Sequence, residues 1–236
     1  MSDDLAKMAL GGSGEAPKSV PAATVVVLRD GADGIEVLLL RKNKKLGFAA
    51  GMWVFPGGRV DPEDIDPARP DDEEAAARNA AIREAAEEAA LVVDPEHLVA
   101  LSHWTPPLVE IKRYATWFFL AAATGEVVEI DGGEIVDHEW LRPADALARH
   151  AAGEATLLPP TWITLDFVAR HDDVATALAA AEAAPVQVFV TKFASLDGES
   201  VGMWAGDAGY ETEDPTLPGG RHRLFISSLP WRYERS

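Results

Sequence analysis

The sequence predicts an α+β fold, an α/β/α sandwich in which a mixed β-sheet packs between helices, with a β-containing extension at the C-terminal end. Three observations carry this expectation. Two β-rich runs, "AATVVVLRD" and "IEVLLLRK", are separated only by "GADG", a hairpin signature. Alanine-rich helical segments lie between further apolar strands. Strands and helices do not alternate as regular βαβ units, which argues against a doubly wound parallel sheet.

Taken in order, residues 1–20 mix Gly, Ser, Pro and charges without periodicity, the composition of a flexible tail. The hairpin opens a domain expected to span 21–183. "GMWVFPGGRVD" reads as a strand ending in a Pro-Gly-Gly turn, and the proline- and acid-rich "PEDIDPARPDDEE" as a loop. A helix begins near Asp72 or Glu73 and runs to about Leu91. "HLVALSHW", "RYATWFFLAAA" and "EIVDHEWL" are strand-like. "PADALARHAA" starts with proline at a helix N1 position, and "PPTWITLDFVARH" with "VATALAAAEAA" forms one broken helix or two successive ones. In residues 184–236, an extension expected to pack on the same domain, "VQVFVTKF" and "HRLFISS" are strands joined by a Gly- and acid-rich connection.

Composition narrows the function. A hydrophobic share of 47% supports a substantial core, and a net charge of -18 argues against nucleic acid or an anionic membrane as partner, since both would be repelled. A polyanionic substrate then needs local cations or bound divalent metal. With no cysteine there is no disulfide, thiolate nucleophile or sulfur-ligated zinc. The N-terminus lacks a signal-like apolar run, and the apolar stretch around Ala115–Ala123 is too short to span a bilayer. A cytoplasmic protein is the expectation.

"IREAAEEAAL" (82–91) gathers three carboxylates behind an arginine. At about 100° per residue, Glu84, Glu87 and Glu88 share one arc of about 100°. Ile82, Ala86, Ala89 and Val93 are expected on the opposite, core-facing side. Like charges at i,i+4 oppose helix formation, so the set needs a cation. Arg83 neutralises one carboxylate, and hard oxygen ligands suit Mg²⁺ or Mn²⁺. Taken alone, the stretch reads more readily as a solvated charged face.

The upstream "FPGGRVD" supplies glycines where a backbone carbonyl can approach closely. Together these residues resemble the Nudix box, G-x5-E-x7-R-E-U-x-E-E-x-G-U with U aliphatic. Gly58, Arg83, Glu84, Glu87, Glu88 and Leu91 take its positions, with Ala85 at the first aliphatic place. The chain is similar to Nudix hydrolases over residues 20–183. It departs from the pattern in three ways. Residues 59–82 are eleven more than the usual spacing. Counting back from Arg83 puts Ala75 where the first Glu belongs, with Glu73 or Glu74 as substitutes, and Ala90 replaces the terminal glycine. The lengthened box with a C-terminal extension resembles the coenzyme-A-hydrolysing branch.

The resemblance implies hydrolysis of a diphosphate linkage in a nucleoside diphosphate derivative, among them coenzyme A or acyl-coenzyme A. ADP-ribose, NADH or dinucleotide pyrophosphatase activity, or a non-catalytic nucleotide-binding module, are the alternatives. It also implies Mg²⁺ or Mn²⁺ held by Glu84, Glu87, Glu88 and the Gly57 carbonyl, an orienting role for Arg83, and a homodimer. A general base outside the box is expected at Glu134, six residues before Trp140, with Glu139 next. Candidate substrate contacts are Arg41, Lys44 and Lys45 in the basic run "RKNKK", with Gly58 and Arg59. The "RHR" at 221–223 is expected to be ordinary surface charge.

Overall fold

The computed structural model describes residues 19–45, 49–107, 113–125 and 127–236. Most of the expected tail, residues 1–18, lies outside the described residues. Contacts divide the described residues into two units: 21–103 with 116–187, and 19–20 with 104–115 and 188–236.

The first unit is built on the hairpin. Strand β1 (Val20–Gly31) pairs antiparallel with β2 (Gly34–Lys42), and Gly31 opposite Gly34 leaves a two-residue turn. Gly34 closes it with φ 115°, a backbone conformation that costs glycine little. Strand β3 (Trp53–Val54) pairs with β2, and β4 (Gly57–Arg59) pairs with β1. Beyond them lie β5 (Val99–Thr105), β6 (Tyr114–Ala122) and β7 (Ile135–Leu141), the last paired with β2. The sheet order in this unit runs β3-β2-β1-β6-β5. The two glycines are therefore strand rather than turn: the strand is interrupted at Phe55–Pro56, and both glycines join a ladder with Ala23 and Thr24.

Four helices flank these strands: α1 (Glu73–Ala89), α2 (Pro143–Ala151), α3 (Pro159–Val168) and α4 (Val174–Ala183). Side chains alternate along a strand, so Leu38 and Leu40 of β2 join Ala23, Val25 and Val27 of β1 against the alanines of α1. Leu39 points the other way, toward Ala146 of α2 and Leu157. The sheet thus carries helices on both faces, as a sandwich requires.

The buried face of α1 is Ala77, Ala80, Ala81, Ala85 and Ala89. Ala86, expected inside, is exposed, and Glu88 is buried. The helix is turned so that the core stripe follows Ala81–Ala85–Ala89, which lets an otherwise exposed acid enter the interior. Small alanines make this close approach possible.

The second unit contains a four-stranded antiparallel sheet, β9 (Lys192–Leu196), β10 (Glu199–Met203), β11 (His222–Phe225) and β12 (Arg232–Arg235), in the order β12-β11-β10-β9. β10 and β12 were not legible as strands. β8 (Gln187–Val190) precedes them. In this unit Trp104 stacks on Phe189 at 3.9 Å, with Trp204 edge-on to both. Two of the three residues of the "RHR" run are not surface charge. Arg223 is buried, its Nε donating to Asp207 Oδ2 at 2.7 Å and its Nη2 to Oδ1 at 2.6 Å, and His222 is buried beside it. Among the described residues, no helix is long and apolar enough to cross a membrane.

Candidate active site

Strand β4 and helix α1 form the site from facing sides. Val25 N–H donates to the Pro56 carbonyl and Val60 N–H to the Pro21 carbonyl, both at 2.9 Å. Thr24 opposite Gly57 and Ala22 opposite Arg59 fall between such bonded pairs. In an antiparallel ladder the residues between them turn their backbone groups outward, here toward α1. Gly57 N–H accordingly donates to Glu88 Oε2 at 2.9 Å, and the Arg59 carbonyl accepts from Arg83 Nη2 at 3.0 Å. The Gly57 carbonyl leaves the strand on the same edge as its N–H.

Both glycines are required by close approach. A Cβ on Gly57 would fall on the Ala23 carbonyl and lie 2.8 Å from the Thr24 Cα, while one on Gly58 would fall on the Glu84 carboxylate.

Arg83 is the hub. Its Nη1 donates to Glu84 Oε1 and Glu87 Oε2, each at 3.0 Å. Its Nε and Nη2 donate to Asp64 Oδ1 and Oδ2 at 3.1 and 2.9 Å. Asp64 is 4% exposed and sits in a single 3-10 turn, Pro62–Asp64, at the start of the long loop. Its Oδ2 also accepts from Asp61 N–H at 2.8 Å, and its carbonyl accepts from Asn79 Nδ2 at 2.8 Å. Neither Glu73 nor Glu74 pairs with Arg83; Glu74 is bound to Arg78 at 2.7 Å instead. The signal for Asp64 was present: counting forward from Gly58, five residues precede it, the pattern's own G-x5-E spacing. The eleven additional residues therefore lie after Asp64, where they leave the Arg83 clamp undisturbed.

The helix ends as a box helix should. Ala90 adopts the left-handed conformation, φ 53° and ψ 30°, and Leu91 N–H reaches back to the Ala85 carbonyl at 3.2 Å. This is the C-terminal cap at which glycine is favoured, so alanine there keeps the geometry at an energetic cost.

Electrostatics single out Glu88. Burial pushes its carboxyl up to about 8, against the Gly57 N–H and the Lys42 charge, while Glu84 and Glu134 push further the same way. Burial also raises Glu84, opposed by Arg83. The Asp64 hydrogen bonds hold Arg83 firmly protonated. A buried acid flanked by two more carboxylates carries more negative charge than the neighbouring Lys42 offsets, and oxygen donors with that deficit fit a hard divalent cation. Among the described residues, no three acidic or histidine side chains already stand gathered at ligand spacing.

Glu134 lies at this centre: Lys42 Nζ donates to its Oε1 at 2.6 Å, and its charge reaches both Glu84 and Glu88. Glu139 is instead bound to Arg149 at 2.6 Å. The basic run divides. Arg41 lies 5.9 Å from the Trp53 ring centroid, and Lys45 N–H donates to Asn43 Oδ1 at 3.0 Å. The Lys44 side chain packs beside Gly51, and Arg59 lies 3.7 Å from the Asp61 carboxylate. Lys42, the member not singled out in the sequence, is the one that reaches the carboxylates. Strand parity could have found it, since Lys42 shares the parity of Leu38 and Leu40, which face α1.

The fold and family can be read from known proteins. The family model of the NUDIX domain matches residues 18–160. A NUDIX hydrolase from Alicyclobacillus acidocaldarius is 25% identical, with a TM-score of 0.64 over 72% of this chain and 100% of that one. The NUDIX domain of Shewanella oneidensis NrtR, in complex with ADP ribose, is 19% identical, with a TM-score of 0.48 over 65% of this chain and 88% of its own. A C. elegans Ap4A hydrolase binary complex is 25% identical, with a TM-score of 0.42 over 62% and 93% respectively. No curated protein matches the chain. With more than half its length matched by the NUDIX domain and a full-length NUDIX hydrolase superposing on it, the chain belongs to the NUDIX hydrolase family.

Proposed function

We propose that the chain hydrolyses the diphosphate linkage of a nucleoside diphosphate derivative with the help of Mg²⁺ or Mn²⁺. One observation carries the reading: Glu88, buried and tied to Gly57 N–H, shares its surroundings with Glu84 and Glu134, more negative charge than the Lys42 ammonium offsets. Glu84, Glu87, Glu88 and the Gly57 carbonyl would hold the metal. Once bound, it offsets the diphosphate charge and makes a water nucleophilic near neutral pH.

The side chains do the rest. Arg83 orients Glu84 and Glu87 through the hydrogen bonds it donates to both. Lys42 occupies Oε1 of Glu134, so the water's proton passes to Oε2. Coenzyme A or acyl-coenzyme A is the first substrate to test, on the lengthened box and C-terminal extension; ADP-ribose, NADH and dinucleoside polyphosphates follow. Arg41, Lys44, Lys45, Gly58 and Arg59 are the candidate substrate contacts.

The test is a screen of these compounds with each metal, repeated with Glu134→Gln and Glu139→Gln. Glu134→Gln is expected to lower kcat roughly a hundredfold or more, and Glu139→Gln to leave it nearly unchanged. The opposite ranking would overturn the choice of base, and turnover without added metal would overturn the metal role.

A further inference from the structure

Lys42 has no role in the family pattern quoted above, yet the fold holds it with unusual care. It sits on the α1 side of β2 with its side chain 13% exposed. Lys42 N–H donates to the Met52 carbonyl and its own carbonyl accepts from Gly51 N–H, both at 3.0 Å. The next residue ties this segment to the start of β7. Asn43 N–H donates to the Glu134 carbonyl at 2.8 Å, and Asn43 Nδ2 to the Gly133 carbonyl at 2.9 Å.

Glu134 is fixed from its other side as well. Glu134 and Ile135 N–H both donate to the Asp131 carboxylate at 2.8 Å, and Glu129 N–H donates to the Ala89 carbonyl at 3.1 Å. The loop carrying Glu134 is thus docked on the end of α1, one residue from Glu88. Across this arrangement the Lys42 ammonium donates to Glu134 Oε1 at 2.6 Å, and its charge also favours the ionised form of Glu88.

We propose that Lys42 is a positioning residue of the active site: its ammonium aims the Glu134 carboxylate and limits how tightly the surrounding carboxylates hold a divalent cation. This rests on the reading of Glu134 as base and Glu88 as metal ligand. The two effects make the role separable from simple structural support. Removing the ammonium frees Glu134, which slows turnover. It also removes a positive charge that repels a divalent ion beside the same carboxylates, so the metal binds more tightly.

The full chain is compared with Lys42→Met and Lys42→Arg by steady-state hydrolysis, Mn²⁺ titration without substrate, and thermal melting. Lys42→Met is expected to lower kcat roughly a hundredfold, leave KM nearly unchanged, and lower the Kd for Mn²⁺ severalfold. Lys42→Arg restores the charge and should return the Mn²⁺ affinity and most of kcat. Unchanged kcat and Kd in Lys42→Met would overturn the proposal, as would weaker Mn²⁺ binding accompanied by a lowered melting temperature. Should the wild type turn over no diphosphate, the function reading fails on its own. The Mn²⁺ titration then decides for Lys42, tightening supporting it and unchanged or weaker binding overturning it.

Discussion

Arg83 on α1 and Asp64 in the long loop are joined by two parallel hydrogen bonds, at 3.1 and 2.9 Å, across nineteen residues of sequence. Fork-to-fork pairing of this kind fixes the guanidinium plane as well as its place. It leaves Nη1 free to hold Glu84 and Glu87. Asp64→Asn keeps the shape but removes the charge and one acceptor, leaving Arg83 underpaired. It is expected to lower unfolding stability by about 2–3 kcal/mol, read from urea denaturation, and to lower kcat. Glu73→Gln and Glu74→Gln should leave kcat unchanged, because neither side chain touches Arg83.

Glu88 sets a pH dependence in the metal-free chain. Its folded value of about 8 lies above the ordinary 4.5, so the folded state holds the proton more tightly than the unfolded one. That contribution to stability is complete below pH 4.5 and is lost as pH rises through 8. In the presence of a chelator, the urea midpoint of the wild type should therefore fall between pH 5 and pH 9 more steeply than that of Glu88→Gln. Equal slopes would show that Glu88 does not carry the effect. Mn²⁺ binding at pH 7 should release a proton in the wild type and less in the variant, measurable by calorimetry in buffers of different ionisation heat.

The two neighbouring glycines should respond differently to alanine. At Gly57 the added methyl meets backbone of β1, which cannot withdraw, and a cost of about 2–4 kcal/mol is expected. At Gly58 its nearest neighbours are the carboxylate atoms of Glu84, the mobile end of a side chain. Gly58→Ala should melt close to the wild type while losing activity, because Glu84 is pushed from its place beside Arg83. Loss of stability without loss of activity at Gly58 would contradict this geometry.

Ala90 is the converse case, a residue with a Cβ in the left-handed region. Ala90→Gly should raise unfolding stability by about 1 kcal/mol without altering KM, since the cap geometry already exists.

Much of this was legible in the residues. The hairpin, the helix beginning at Glu73, proline at the first turn of α2 and the central strands all follow from local composition. The carboxylate set with its arginine was visible from spacing alone. The rotation of α1 was less accessible. Alanine is small enough to be buried or exposed, so an alanine-rich helix carries only a weak directional signal, and the spacing points Ala86 inward where the fold buries Ala85. The strands β10 and β12 were hidden because Gly, Ser and charged residues are poor strand markers until a neighbouring strand pairs with them. Arg223 was hidden for a related reason: its burial depends on Asp207, sixteen positions away.

The sequence by itself determined the sandwich, the carboxylate helix and its need for positive charge, because periodicity and charge spacing are local properties. Only the tertiary structure decided which face of α1 is buried, and that the loop carrying Glu134 brings it to Lys42 while Glu139 pairs with Arg149. Those choices depend on strand register and on how a loop folds back over a helix. Register turns a one-residue difference into opposite faces of the sheet, and this is how Lys42 reached the carboxylates and Arg41 did not.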